Sequence, residues 1–193
     1  MGREFELKYR ANAEIIDAIR EKFGTFESIS METAYYDTPG GDLSRLRWTL
    51  RRRMENGRSV CTLKTPLPDG SRGEWELECS AIEAAISELC KLGAPAELSI
   101  LAQKGLAPSC AARFTRLAAS LEIQNATVEL ALDQGCMLGG GKELPFAEVE
   151  VELKSGSEAA AIAFAEALAA EFALTPEPKS KVQRALELAK PSP

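Results

Sequence analysis

The amino-acid sequence predicts an α+β fold in which a long antiparallel sheet closes into a barrel with a charged interior and helices packed outside. Three observations lead there. First, several segments alternate charged and apolar residues, as in Glu4-Phe5-Glu6-Leu7-Lys8 and Glu148-Val149-Glu150-Val151-Glu152-Leu153-Lys154. Side chains two apart on a strand share a face, so each segment has one charged and one apolar side. Second, turn signals such as Glu55-Asn56-Gly57 join these segments as hairpins. Third, the charged faces are almost purely charged and segregated by sign, with carboxylates on the first, sixth and later strands and basic groups on the third and fourth. Like charges lined up on one face repel. A divalent cation on the carboxylates and a polyanion on the Arg/Lys groups would offset that repulsion, and closure removes the exposed sheet edges.

The elements follow in order. After the first strand, Asn12 caps a helix to about Phe23, with Ile15, Ile16, Ile19 and Phe23 on its apolar face. Residues 27–37 read as strand and end in the turn Tyr35–Gly41. Arg47–Arg53 and Ser59–Thr65 form a hairpin, Pro66–Gly70 turns, and Arg72–Glu78 is the next strand. Ser80-Ala81-Ile82-Glu83 reads as a capping box opening a helix to about Leu92, followed by a short helix over Ala96–Lys104. Strands resume at Arg113–Ile123 and Thr127–Asp133, Gln134–Gly141 turns, and Phe146–Lys154 is the acidic strand. Ser157 caps an Ala-rich helix to about Phe172, Pro176 and Pro178 break it, and a last helix follows Ser180. The total is about eight or nine strands and four or five helices. The glycine-rich Gly139-Gly140-Gly141-Lys142 lacks phosphate-loop spacing and has Glu143 where such a loop needs Ser or Thr, so it reads as a turn.

Bulk properties bound the function. The 193 residues, 45% hydrophobic and 27% charged, suit one domain over 1–193. A net charge of −6 argues against a nucleic-acid surface. The five cysteines are scattered without C-x-x-C spacing and read as packed thiols of an intracellular protein. With no histidine in the chain, His-based acid–base chemistry and His-ligated zinc are excluded, and any metal would be a hard cation on carboxylates. No apolar run approaches the roughly 18 residues of a membrane span. The start is charged from Arg3 onward, unlike a signal peptide. A cytoplasmic protein with no membrane partner is expected.

The motifs, taken together, resemble a known family. Glu4-x-Glu6-x-Lys8 resembles the E-x-E-x-K signature of the CYTH domain, or triphosphate tunnel metalloenzyme, family. Tyr36-Asp37-Thr38, Leu50-Arg51-x-Arg53, Thr62-Leu63-Lys64, Arg72-x-Glu74-x-Glu76, Glu129–Gly135, Glu150-x-Glu152-Leu153-Lys154 and Ser180-Lys181 follow in the family's order over essentially the whole chain. The resemblance implies an eight-stranded antiparallel barrel forming a tunnel that binds a triphosphate-containing ligand. Carried over, Lys8, Arg51, Arg53, Lys64 and Lys181 would contact phosphate oxygens, with Arg116 added and Arg113 its rival for that strand's register. Glu4, Glu6, Glu150 and Glu152 would bind Mg²⁺ or Mn²⁺, while Glu76, Glu129 and Asp133 would hold a second metal or orient the attacking water. Arg52 departs from the pattern, since the middle position is commonly apolar, and is expected to face solvent or a helix.

The implied reaction is metal-dependent hydrolysis of inorganic triphosphate to diphosphate and phosphate. It requires charge neutralisation, an in-line water and stabilisation of the leaving diphosphate, and no covalent nucleophile. Family membership leaves alternatives: class IV adenylate cyclase, thiamine or nucleoside triphosphatase, and a non-enzymatic polyphosphate-binding module. Trp48 and Trp75 are candidates for an aromatic platform, but alternation assigns them to the helix-packed face. A monomer or homodimer is expected.

Overall fold

The computed structural model describes residues 2–3 by their backbone, and 5–68 and 71–190. Ten strands and six helices lie among them: β1 (Gly2–Arg3), β2 (Glu6–Arg10), α1 (Ala13–Phe23), β3 (Glu27–Asp37), α2 (Asp42–Arg45), β4 (Thr49–Glu55), β5 (Arg58–Pro66), β6 (Arg72–Glu78), α3 (Ile82–Lys91), α4 (Glu97–Ala102), β7 (Ala107–Ile123), β8 (Ala126–Gly139), β9 (Lys142–Gly156), α5 (Glu158–Glu171), β10 (Thr175–Pro176) and α6 (Lys181–Ala189).

One antiparallel sheet runs in the order β1-β6-β5-β4-β3-β7-β8-β9-β2-β10. Its two ends meet through the N-terminal stretch. Gly2 and Arg3 pair with Glu74 and Gly73 on β6, and Glu6–Arg10 pair with Glu152–Glu148 on β9. Counting β1 and β2 as one interrupted strand and leaving out the two-residue β10, the sheet is an eight-stranded barrel-like tunnel.

Alternation along the strands divides the side chains between two faces. Outward residues of β8 and β9 (Val128, Leu130, Leu132, Val149, Val151) pack with Ile16 and Ile19 of α1 and Ala161, Ala165 and Leu168 of α5. Outward residues of β4–β6 (Leu50, Cys61, Leu63, Trp75) pack with Ile82, Ala85, Ile86 and Leu89 of α3 and Leu98 of α4. Trp48 packs against the same cluster, so both tryptophans belong to the helix-covered side.

The last helix departs from the expectation of helices packed outside. In α6, Ala185, Val182 and Leu186 pack with Met31, Tyr35, Phe114, Met137 and Phe146. This is the face of β7–β9 opposite the one that α1 and α5 cover. Close approach is possible because Gly139 has no side chain: a Cβ there would stand 2.1 Å from the Ala185 carbonyl oxygen. The capping box of Ser180 with Gln183 opens this helix, and that hydroxyl fixes where Lys181 begins.

Other local expectations separate by cause. Asn12 and Ser157 cap α1 and α5 as expected, accepting from the Ile15 and Ala160 amides. Asn56 and Gly57 both have positive φ, the geometry of a tight two-residue hairpin. The Ser80 capping box does not form; Ala81 is the N-cap without a side-chain bond, and the Ser80 carbonyl accepts from Arg52 Nη1 at 2.8 Å. The turn expected at Gln134–Gly141 is only Gly140-Gly141, because β8 and β9 remain paired out to Gly139↔Lys142. Helix α2 was not expected. It forms because Asp37, buried, accepts from the Thr38, Leu43 and Ser44 amides and the Ser44 hydroxyl.

Candidate active site

The inner face lines a cavity of about 1000 Å³. Its wall includes Glu6, Lys8, Arg51, Arg53, Lys64, Glu76, Arg116, Glu129, Glu150, Glu152 and Lys181. Glu4, expected among the metal ligands, lies outside the described residues. Arg113 is 60% exposed and pairs with Glu143 at 3.3 Å, whereas Arg116 faces inward, because positions three apart on a strand point to opposite sides. Asp133 does not reach the cavity wall. It is fully buried, and its two oxygens accept from Arg116 Nε and Nη2 at 2.7 Å each.

The cationic side is built by β4 and β5. Arg51 is opposite Thr62 and Arg53 opposite Val60, while Lys64 stands level with Thr49. Arg53 pairs with Glu55 and lies 3.9 Å from Glu76; Arg51 is 4.0 Å, and Lys64 3.4 Å, from Glu74. Glu76 in turn accepts from the Thr62 hydroxyl at 2.9 Å. The Nε groups of Arg51 and Arg53 are buried with no hydrogen-bond partner among the described residues. Burial, with Arg51 adjacent, lowers the Arg53 pKa, and burial likewise lowers that of Lys8. These charges are desolvated without full compensation, a condition that a bound anion relieves.

The acidic side has two parts. Glu6, Glu152 and Glu129 are successive cross-strand neighbours on β2, β9 and β8, so three carboxylates stand in a row. Lys154 reaches Glu152 at 2.9 Å and Glu129 at 3.6 Å. Such a row of like charges is destabilising by itself. Its all-oxygen, part-exposed donors suit a hard divalent cation.

The second part is a buried cage. Asp133, Glu148 and Glu150 offer carboxylate oxygens within 4.8 Å of one another. Lys181 Nζ lies 2.8, 2.6 and 2.7 Å from them respectively. Arg116 binds Glu150 at 2.5 Å, and Arg184 pairs with Glu148. Three cations therefore face three carboxylates, and the cage is neutral as built. Burial pushes the Glu150 carboxyl up, but Lys181 and Arg116 outweigh it and hold its pKa well below the carboxylate range. For Lys181, burial lowers the pKa, and Asp133 and Glu150 more than restore it.

Glu148, Arg184, Glu74 and Tyr35 belong to this wall and its support, although none was singled out for a role from sequence. The alternation Glu148–Glu152 carried the signal for the first. Arg184 was legible only as a basic residue near Lys181, because its partner is 36 positions away.

Comparison with known proteins accords with this architecture. The CYTH domain family model matches residues 2–186. An inorganic triphosphatase of Haemophilus influenzae is 28% identical over 191 residues, which is 95% of this chain and 54% of that protein. The chain thus spans about half the length of the curated relative it matches. Among solved structures, a proposed adenylate cyclase from Bacillus halodurans is 22% identical with a TM-score of 0.66, covering 95% of this chain and 98% of that one. A proposed adenylyl cyclase from Hippeastrum, described as having a dominant triphosphatase activity, is 18% identical with a TM-score of 0.69 and 98% of each chain covered. At these identities the two structures establish the shared fold.

Proposed function

This chain belongs to the CYTH domain family, and from that premise we propose that it hydrolyses inorganic triphosphate to diphosphate and phosphate inside the charged tunnel, with Mg²⁺ or Mn²⁺. The observation that carries this is the opposition, across one cavity, of incompletely paired guanidinium groups on β4 and a part-exposed carboxylate row on β2, β9 and β8.

In this reading Arg51, Arg53, Lys64 and Lys8 grip the phosphate oxygens. The Arg forks supply directional, charge-assisted bonds, and binding relieves their desolvation. A divalent cation held by Glu6, Glu152 and Glu129 would neutralise phosphate charge at that wall. In the same reading Glu76, oriented by the Thr62 hydroxyl, and Glu129 align the attacking water. Asp133 acts at one remove, fixing Arg116 and Lys181, so that the wall does not reorganise as charge moves to the leaving diphosphate. Glu150 serves the same end from the wall itself, because both of its oxygens are engaged by Lys181 and Arg116.

The test is phosphate release from tripolyphosphate, ATP and thiamine triphosphate with each metal, with cyclic AMP assayed in the ATP samples. Dominant turnover of tripolyphosphate is expected. Cyclic AMP as the main product would replace this reading by a cyclase, and binding without turnover by a polyphosphate receptor.

A further inference from the structure

A buried carboxylate stands outside the tunnel. Glu177, in the short connection between β10 and α6, has a side chain only 1% exposed, yet it does not line the tunnel. Together with Arg10, Lys179 and Arg184 it lines a separate cavity of about 450 Å³. A buried carboxylate is costly unless it is paired, and both oxygens of Glu177 are engaged. Its Oε1 accepts from the Lys179 amide at 3.0 Å and its Oε2 from Arg10 Nε at 2.6 Å, with Arg184 Nη1 at 3.5 Å from Oε2.

The backbone fixes where this carboxylate stands. Pro176 pairs with Tyr9, and the Glu177 N–H donates to the Lys8 carbonyl at 2.9 Å, so the connection is docked on β2 just before α6 begins. From there the charges alternate in sign toward the tunnel. Glu177 faces Arg184, Arg184 Nη2 pairs with Glu148, and Glu148 lies 2.6 Å from Lys181 Nζ. Lys181 is the member of this series that lines the tunnel. The planar guanidinium of Arg184 is thus held on both terminal nitrogens, which fixes its orientation. Without Glu177 it is free to turn, Glu148 follows, and Lys181 loses one of its three carboxylate contacts.

We propose that Glu177 is a positioning residue for the tunnel chemistry: through Arg184 and Glu148 it holds the Lys181 ammonium in place, so that this wall does not reorganise as charge moves to the leaving diphosphate. This rests on the triphosphate reading and deepens it. Glu177 touches nothing in the tunnel, so its loss should slow turnover and leave the grip of Arg51, Arg53 and Lys64 intact.

The experiment is steady-state hydrolysis of tripolyphosphate with Mg²⁺ or Mn²⁺, and calorimetric tripolyphosphate binding in EDTA, for the wild type, Glu177→Gln, Arg184→Lys, the double variant and Glu187→Gln. Glu187 is the control: it lines the same second cavity but pairs with Lys179. Glu177→Gln should lower kcat about tenfold, with tripolyphosphate affinity changed less than about twofold. Arg184→Lys keeps the charge without the planar fork and should give a similar loss. The double variant should be no slower than the slower single variant, because both break one series. Glu187→Gln should behave as the wild type. Undiminished kcat in Glu177→Gln would overturn the proposal, and so would losses that multiply in the double variant. Affinity falling as far as kcat, or an equal loss in Glu187→Gln, would reduce Glu177 to an anchor of α6 and overturn it too. If Glu177→Gln does not fold, Arg184→Lys decides, and undiminished kcat there overturns the proposal. Wild-type turnover that is insensitive to these changes overturns the positioning role alone, whereas no tripolyphosphate turnover by the wild type overturns the triphosphate reading with it.

Discussion

The ammonium of Lys181, at the first position of α6, lies 2.7 Å from Oε1 of Glu150 on the inner wall of the tunnel. The two are 31 residues apart in the chain, and the pair joins the helix to the sheet. Because Asp133 and Glu148 share the same ammonium, this contact is the centre of a charge-balanced cage.

Removing that ammonium should be costly. Lys181→Met leaves three buried carboxylates facing two guanidinium groups, and breaking a buried pair by deleting one partner costs about 3–5 kcal/mol. Urea denaturation at pH 7 measures it. Loss of less than about 1 kcal/mol would mean that the cage contributes little to stability.

The pH dependence of stability follows from the same pair. The Glu150 carboxyl is held below its unfolded value, so its contribution is complete above the unfolded pKa of about 4.3 and is lost as pH falls through the folded value. Lys181 is raised, so its contribution is complete below the unfolded pKa of about 10.4 and is lost only as pH rises through the folded value. Wild-type stability should therefore fall on acidification below about pH 5. In Lys181→Met the same acidification should narrow the deficit, since protonation relieves the unpaired carboxylates. Denaturation midpoints from pH 3 to 8 check both.

Glu152 stands between Glu6 and Glu129, so its neutralisation should separate function from folding. Glu152→Gln should lower triphosphate turnover about a hundredfold or more. Because it removes like-charge repulsion, thermal stability in metal-free buffer should be unchanged or slightly higher. Mn²⁺ titration followed by electron paramagnetic resonance should show weakened metal binding. Unchanged Mn²⁺ affinity would count against the carboxylate row as the metal site.

Arg53 is only 15% exposed, with its Nε unpartnered among the described residues. Arg53→Ala should weaken tripolyphosphate binding by about ten- to a hundredfold, the equivalent of about 1.5–3 kcal/mol for a charge-assisted contact. Calorimetry on the metal-free protein gives the affinity separately from any effect on kcat.

Gly139→Ala tests how closely α6 approaches β8. The added Cβ would meet the Ala185 carbonyl at 2.1 Å, a backbone atom unable to move without the helix. Overpacking of this kind costs about 1–3 kcal/mol, so urea stability should drop by that order. A neutral substitution would indicate that the helix is free to shift.

Much of the site was legible before folding. Alternation alone put Arg51, Arg53, Lys64, Glu74, Glu76, Glu150 and Glu152 on one face, because the two-residue period of a strand is rigid. It assigned Trp48 and Trp75 to the helix-covered side for the same reason. It also held the choice between Arg113 and Arg116, which required only the register of β7 against β8. Local rules served where the interaction is local, as with the Asn12, Ser157 and Ser180 caps.

The sequence by itself determined the charged and apolar faces, the hairpin order and, through its motif order, the family. Those properties depend on spacings of two to four residues and on chemistry carried by each side chain. Tertiary structure alone decided that α6 packs on the inner face, that Asp133 is sealed behind Arg116, and that Glu150 is shared between Arg116 and Lys181. The ionic contacts among these depend on partners 17 to 34 positions apart, and the packing of α6 on partners farther apart still, meeting in a low-dielectric interior. There, pairing rather than spacing determines which carboxylates are neutralised and which still face the tunnel.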